Sequence, residues 1–241
     1  MSETAESPVR VLVITAHPDD VDYGAGGTVA GWTAAGIEVA YCIVTDGDAG
    51  GVDASITRTE MAQIRREEQR KAAAVLGVTE VEFLGYPDGR VEVSLDLRRD
   101  ISRAIRRFRP TRVVLQSPLR DLRSMYGSHP DHTATGEAAM CAVYPDARNE
   151  FAHPELLRDE GLAPHTVAEV WVMAGMGDGD TFIDITDNVE RKLAALWAHV
   201  SQTAHMTNLE DLIRGWGTRL AKAGNLPEGR YAECFTVLDT R

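Results

Sequence analysis

The chain has 241 residues, 44% of them hydrophobic and 26% charged, which suffices for one large α/β domain, residues 1–241, with a buried core and no bias toward disorder. Its 37 acidic residues outnumber 25 basic ones, for a net charge of -12, and so few cations cannot displace the counterions of a nucleic acid. No apolar run approaches the ~18 residues of a membrane span. Met1 to Arg10 lack the apolar stretch of a signal peptide, so about residues 1–8 read as a flexible N-terminus and the chain as cytoplasmic.

The first element is a run of β-branched and apolar residues, Arg10 to Ala16, which predicts a buried strand. Gly26 to Ala35 has helical character, with Gly36 as its stop. Ile37 to Thr45 predicts a second strand, followed by an Asp/Gly-rich loop over 46–53. Arg58 to Leu76 predicts a long charged helix closed by Gly77. Val81 to Leu84 predicts a third strand, Leu95 to Arg107 a helix ended by Pro110, and Thr111 to Gln116 a fourth strand. Beyond residue 150 the pattern weakens, leaving a strand over Val167 to Ala174, a helix over Glu190 to Ala204 and a last strand over Phe235 to Leu238.

Strand and helix alternate, which predicts an α/β, Rossmann-like three-layer sandwich with a mostly parallel central sheet. In such sheets ligands sit beyond the carboxyl ends of the strands. Two chemical clusters fall there. His17-Pro18-Asp19-Asp20 follows the first strand, and His129-Pro130-Asp131-His132 follows the fourth. Together they supply more than the two imidazoles and one carboxylate that hold a catalytic zinc ion with a position left for water. A water on zinc titrates near pH ~7, and the spare carboxylate and imidazole suit base and acid roles. The same ligand set also suits non-haem iron, and sequence does not separate the metals. Cys42, Cys141 and Cys234 are far apart and form no CxxC, so a disulfide framework or thiolate zinc site is not indicated, and a reducing cytosol fits.

The AHPDD motif, with HPDH about 110 residues later, resembles the PIG-L/LmbE-like family of zinc-dependent N-acetylglucosaminyl deacetylases, which includes the deacetylases of mycothiol and bacillithiol biosynthesis. The likeness extends to Arg65-Arg66-Glu67-Glu68 leading to Leu76-Gly77-Val78, to Tyr86-Pro87-Asp88-Gly89 and to Thr45-Asp46-Gly47, and it covers roughly Val11 to Glu137. The resemblance implies that His17, Asp20 and His132 bind Zn2+, with Fe2+ or another divalent metal open. It implies Asp19 as general base and His129 as acid or oxyanion stabiliser. Asp131 then orients a neighbouring imidazole, and Arg65 and Asp88 hold the sugar. The implied partner is a small N-acylated amino sugar, with no nucleic acid and no membrane span, and a homo-oligomer remains open.

Two departures stand out. Many family members carry Glu directly after AHPDD, where this chain has Val21-Asp22. Tyr126 stands three residues before His129, whereas the useful tyrosine of the mycothiol branch stands two before, so Tyr126 is a candidate oxyanion donor only. Arg65 also reads as part of a solvated charged helix, and Asp88 as a turn former. The loop Ser117 to Ser128, with Arg120 and Arg123, fits substrate binding and local charge balance equally. Gly24-Ala25-Gly26-Gly27 lacks the spacing of a dinucleotide loop, and no G-x-S-x-G elbow occurs.

Alternatives within amide hydrolysis are an amidase on thiol conjugates and a deacylase that tailors a natural product. A metal-dependent phosphoesterase would need ligands for a second metal, for which Asp22 and Asp46 are the spare carboxylates. A non-catalytic sugar binder would not need Asp19 and His129. Trp171, Trp197 and Trp216 could stack on a sugar but fit the core better. Residues 140 to 241 carry no motif, and the substrate is not legible from them.

Overall fold

A computed structural model describes residues 8–241, apart from 123, 124, 126, 127 and 176. Seven strands form one sheet: β1 (Arg10–Thr15), β2 (Glu38–Thr45), β3 (Glu80–Tyr86), β4 (Arg112–Gln116), β5 (Glu169–Met173), β6 (Thr181–Asp184) and β7 (Ala232–Asp239). Their order across the sheet is β3-β2-β1-β4-β5-β7-β6. The pairs among the first five strands are parallel, and β7 runs antiparallel to both β5 and β6. β1 is the central hub, with Val11 to Ile14 fully or nearly fully buried on both faces.

One face of the sheet is covered by α1 (Asp20–Ala34), α2 (Arg58–Val75) and α6 (Val189–Trp197), which bury Val29, Ala72, Leu76 and Ala195 against Val11, Val13, Tyr41 and Ile43. The other face is covered by α3 (Leu95–Phe108) and α4 (Pro130–Cys141), whose Leu97, Ile101, Ala138 and Ala139 pack on Leu12, Ile14, Cys42 and Leu115. Odd and even positions of β1 thus feed separate cores, as the two-residue period of a strand requires. The remaining α-helices among the described residues are α5 (Pro154–Arg158), α7 (Val200–Thr203) and α8 (Leu209–Ala223).

The long charged helix forms where the sequence predicts it. Thr57 accepts from the backbone of Glu60 while Glu60 accepts from the backbone of Thr57, and Gly77 takes a φ of 82° beyond the end. Three expectations change. The helix expected from Gly26 begins at Asp20, because tertiary contacts outweigh the low helix propensity of its glycines. Within it, buried Glu233 accepts from the backbone N–H groups of Gly27 and Thr28, and Lys192 joins Glu233 to the carbonyl of Tyr23. The helix expected over Glu190 to Ala204 breaks at Ala198-His199 into α6 and α7. Finally, α4, β6 and α8 form where no element was expected.

Candidate metal and catalytic centre

The chain direction across the sheet reverses at β1. β2 and β3 lie to one side of it and β4 to the other, with Ile14 of β1 beside Leu115 of β4. The loops after β1 and β4 therefore open onto one crevice, the place where open α/β sheets bind ligands. The Gln116 side chain ties the two strand ends together by accepting from the backbone N–H of Ala16 at 2.8 Å.

His17 is the hub of this crevice and is 8% exposed. Its Nδ1 lies 3.4 Å from Asp20 Oδ2 and 3.2 Å from His132 Nε2. His132 Nε2 is in turn 3.1 Å from Asp20 Oδ1. His17 Nε2 faces the other way, 3.1 Å from Asp88 Oδ1 and 3.2 Å from Asp131 Oδ2. Those two carboxylates are fixed from behind. Asp131 accepts from the backbone N–H groups of Gly89 and Val91, and Asp88 accepts from that of Ala49. An ionised carboxylate only accepts, so this side of the ring carries N–H and Nδ1 is left as the donor atom toward Asp20 and His132.

The electrostatics favour a cation. Burial opposes a charge on His17, but Asp20, Asp131 and Asp88 outweigh it and push its pKa up to about 12. Burial opposes a charge on Asp20 too, yet His132 and His17 hold it well below the usual carboxylate range. Two imidazole nitrogens 3.2 Å apart, facing one carboxylate, form a donor set suited to a divalent metal. The donor atoms of His17, His129 and His132 lie within 4.8 Å of one another, as do those of His17, Asp88 and Asp131.

Asp19 and His129 flank this set. Asp19 takes a left-handed backbone, φ 92° and ψ -27°, at the start of α1, and its carboxylate makes no cap bond to the helix. Burial pushes its pKa up to about 6, against the opposing charge of Arg65 and with help from Asp20. His129 begins α4, and its Nδ1 accepts from the backbone N–H of Asp131 at 3.2 Å. Burial, then the neighbouring His17 and His132, hold its pKa below the ordinary value.

The other expected positions fall as follows. Arg65 is buried, and its guanidinium bonds Asp19 Oδ2 at 3.0 Å and the carbonyls of Gly47 and Pro18. Asp88 is buried and turned to His17. Asp131 meets the imidazole of His17 rather than that of His129, which receives only its backbone N–H. Tyr126 and Arg123 lie outside the described residues. Asp46 is bound by Arg66, and Asp22 by His199 and Gln69, so neither spare carboxylate is turned to the donor set. Trp171 is buried against Trp32 and Phe235, Trp216 bonds the carbonyl of Gly175, and Trp197 is 42% exposed. Gln69 and His199 have no signal in the sequence: neither stands in a motif, and both reach the site's loop only through the fold.

Residues 12–143 match the PIG-L family, described as GlcNAc-PI de-N-acetylase. The chain belongs to the PIG-L family. Among its PIG-L relatives, a diacetylchitobiose deacetylase of Thermococcus kodakarensis is 33% identical over 93% of this chain and 81% of its own length. A probable N-acetyl-alpha-D-glucosaminyl L-malate deacetylase 2 of Bacillus cereus is 33% identical over 84% of this chain and 86% of its own. The solved structure of N,N'-diacetylchitobiose deacetylase from Pyrococcus horikoshii, in complex with an inhibitor, superposes with a TM-score of 0.86 at 31% identity, covering 95% of this chain and 84% of that one.

Proposed function

We propose that this protein is a metal-dependent hydrolase that removes the N-acetyl group from a small N-acetylglucosamine-containing molecule. The observation that carries the reading is the pairing of a cation-favouring donor set with two groups it leaves free, Asp19 and His129. The PIG-L relatives, named as deacetylases of such sugars, support the substrate class. His17, Asp20 and His132 hold the metal, zinc being the ion that two imidazoles and a carboxylate suit best. Such an ion acts as a Lewis acid, making water easier to deprotonate and the amide carbonyl easier to attack.

The chain's own groups do the rest. Asp19, with a pKa near 6, is ionised at neutral pH and takes the proton of the attacking water. As oxygen bonds to the carbonyl carbon, negative charge grows on the carbonyl oxygen, and the Nε2–H of His129 donates to it. The C–N bond then breaks. The nitrogen leaves with the proton that Asp19 took from the water, which returns Asp19 to its ionised form, and the products are acetate and a free amine. Asp88 and Asp131 keep His17 in the tautomer that presents Nδ1. Arg65 bonds the Asp19 carboxylate, which supports a positioning role beside that of a sugar contact.

The test is acetate release by metal-loaded protein from N-acetylglucosamine, N,N'-diacetylchitobiose and the malate and inositol conjugates of N-acetylglucosamine. Equimolar acetate and amine, lost with a chelator and in Asp19→Asn, is the expected result. Silence across the panel with metal bound would sink the deacetylase reading.

A further inference from the structure

Asp19 is held in a conformation that a residue with a Cβ rarely adopts, at φ 92°. Such backbone is costly and persists only where neighbours over-determine it. The neighbour here is Gln69 of α2, fully buried, whose Oε1 accepts from the backbone N–H of Asp19 at 2.7 Å. A glutamine amide has an oxygen and an NH2 of nearly equal shape, so it could turn over and face Asp19 with a donor. It is kept from doing so at its other end. Gln69 Nε2 donates to Asp22 Oδ2 at 3.0 Å, and that same oxygen accepts from His199 Nε2 at 2.8 Å. Asp22 and His199 are both fully buried. His199 sits in the break between α6 and α7, and the break turns its imidazole onto α1.

We infer that the buried chain His199–Asp22–Gln69 is a positioning device: it locks the Gln69 amide in one orientation, fixes the left-handed backbone of Asp19 and so aims the Asp19 carboxylate. The acceptor Asp22 supplies what the amide lock needs, and His199 supplies a second donor to the same oxygen of the buried Asp22 carboxylate. This gives a role to Asp22 of the Val21-Asp22 pair that stands where many family members carry Glu after AHPDD. It also accounts for a segment beyond residue 150 that reaches the catalytic loop. None of the three residues touches substrate or reacting atoms, and the inference rests on the reading of Asp19 as the base.

The experiment compares Gln69→Leu, Asp22→Leu, Asp22→Asn and Asp19→Asn as metal-loaded proteins. It measures kcat, KM, metal stoichiometry and thermal unfolding on whichever sugar of the panel the unaltered protein turns over fastest. Crystal structures of the unaltered and Gln69→Leu proteins accompany the kinetics. A base displaced by about 1 Å costs roughly 10²-fold. Gln69→Leu and Asp22→Leu are expected to lose kcat on that order, with KM within about threefold and one metal still bound. Asp22→Asn keeps an oxygen for both donors and is expected to recover to within about threefold of the unaltered kcat. In Gln69→Leu the φ of Asp19 leaves the left-handed region.

Loss of kcat under threefold in Gln69→Leu, or an Asp22→Asn as poor as Asp22→Leu, overturns the inference. So does an unmoved Asp19 in the Gln69→Leu structure, which decides the matter even if no sugar of the panel is hydrolysed. If Gln69→Leu does not fold, the Asp22 pair carries the test. If Asp19→Asn is fully active, it is the base reading that fails.

Discussion

The backbone N–H of Asp131 donates to Nδ1 of His129 at 3.2 Å, while the carboxylate of the same Asp131 receives Nε2 of His17. One residue thus sets two imidazoles in the same tautomer, through opposite ring nitrogens. His17 keeps its hydrogen on Nε2, and a neutral His129 keeps its own on Nε2 with Nδ1 as acceptor. The first suits a metal ligand through Nδ1, the second a hydrogen-bond donor to substrate.

His129→Ala separates these roles. A donor to a developing oxyanion is worth about 10²–10³ in kcat, the role proposed for His129. The expected outcome is a loss of that size with one metal still bound per chain, measured by acetate release and by metal analysis. Loss of the metal in His129→Ala would make His129 a ligand instead, as its place within 4.8 Å of the His17 and His132 donors allows.

Asp131→Asn tests the other half. An amide in place of the carboxylate can turn its NH2 toward His17 Nε2, and the preference for Nδ1 as metal donor is lost. Such partners of metal-binding histidines are worth about 10–100-fold in affinity. Metal competition titration should show weakening of that size, and an unchanged affinity would mean that Asp88, also 3.1 Å from His17 Nε2, suffices alone.

Much of the site is legible in the sequence because its parts are local. β1 and β4 are short apolar runs rich in β-branched residues, and one chemical cluster follows β1 directly while the other follows β4 after a loop, so sheet topology brings them to one edge. α4 is not legible, although it carries Asp131 and His132. Its Thr, Ala and Gly residues make no apolar stripe, since the helix packs through small side chains rather than large ones. β6 and α8 belong to a last layer whose partners lie far along the chain, so local pattern cannot announce them. His199 is furthest from legibility: it meets Asp22 across 177 positions, and only the break between α6 and α7 aims it there. Arg65 and Asp88 are legible as residues of the site, but not that their charged groups turn inward to Asp19 and His17.

His199 also makes stability depend on pH. Burial favours its neutral form, yet the hydrogen bond and charge of Asp22 and the charge of Asp19 raise its pKa above 6.5, with Arg65 opposing. The folded state therefore binds this proton more tightly than the unfolded chain. The contribution is complete below pH 6.5 and fades as pH rises through the folded value. The difference in Tm between the unaltered protein and His199→Gln is expected to be largest at mildly acidic pH and to shrink toward alkaline pH. A difference that stays level or grows with pH would contradict the assignment.

Lys192 and Glu233 form a deeply buried ion pair, at 2.6 Å with each side chain 3% exposed. Lys192→Met leaves Glu233 a buried charge with only the backbone of Gly27 and Thr28 as donors. Breaking one side of such a pair costs about 3–5 kcal/mol, more than the pair adds over apolar neighbours. Urea unfolding should show that loss for Lys192→Met and a smaller one for Lys192→Met with Glu233→Gln. Equal losses would mean that lost packing of the lysine stem is the cause.

Gly136 sits in α4, one turn beyond His132, where the helix crosses the end of β4. A Cβ there would lie 2.3 Å from the carbonyl oxygen of Gln116 and 2.9 Å from the nitrogen of Pro118, both backbone atoms that cannot rotate aside. Gly136→Ala must push α4 off the strand end, and overpacking of this kind costs about 1–3 kcal/mol. The same shift moves His132 away from His17 Nδ1 and Asp20, so metal affinity should fall along with stability. Gly215→Ala in α8 is the control. Its new Cβ would meet only the end of the Arg219 side chain at 3.8 Å, and alanine there should gain up to about 1 kcal/mol from helix propensity alone. Urea unfolding and metal titration of both variants distinguish the close approach from a general dislike of alanine. If Gly136→Ala matched the unaltered protein in both measurements, the contact between α4 and β4 could not be what places His132.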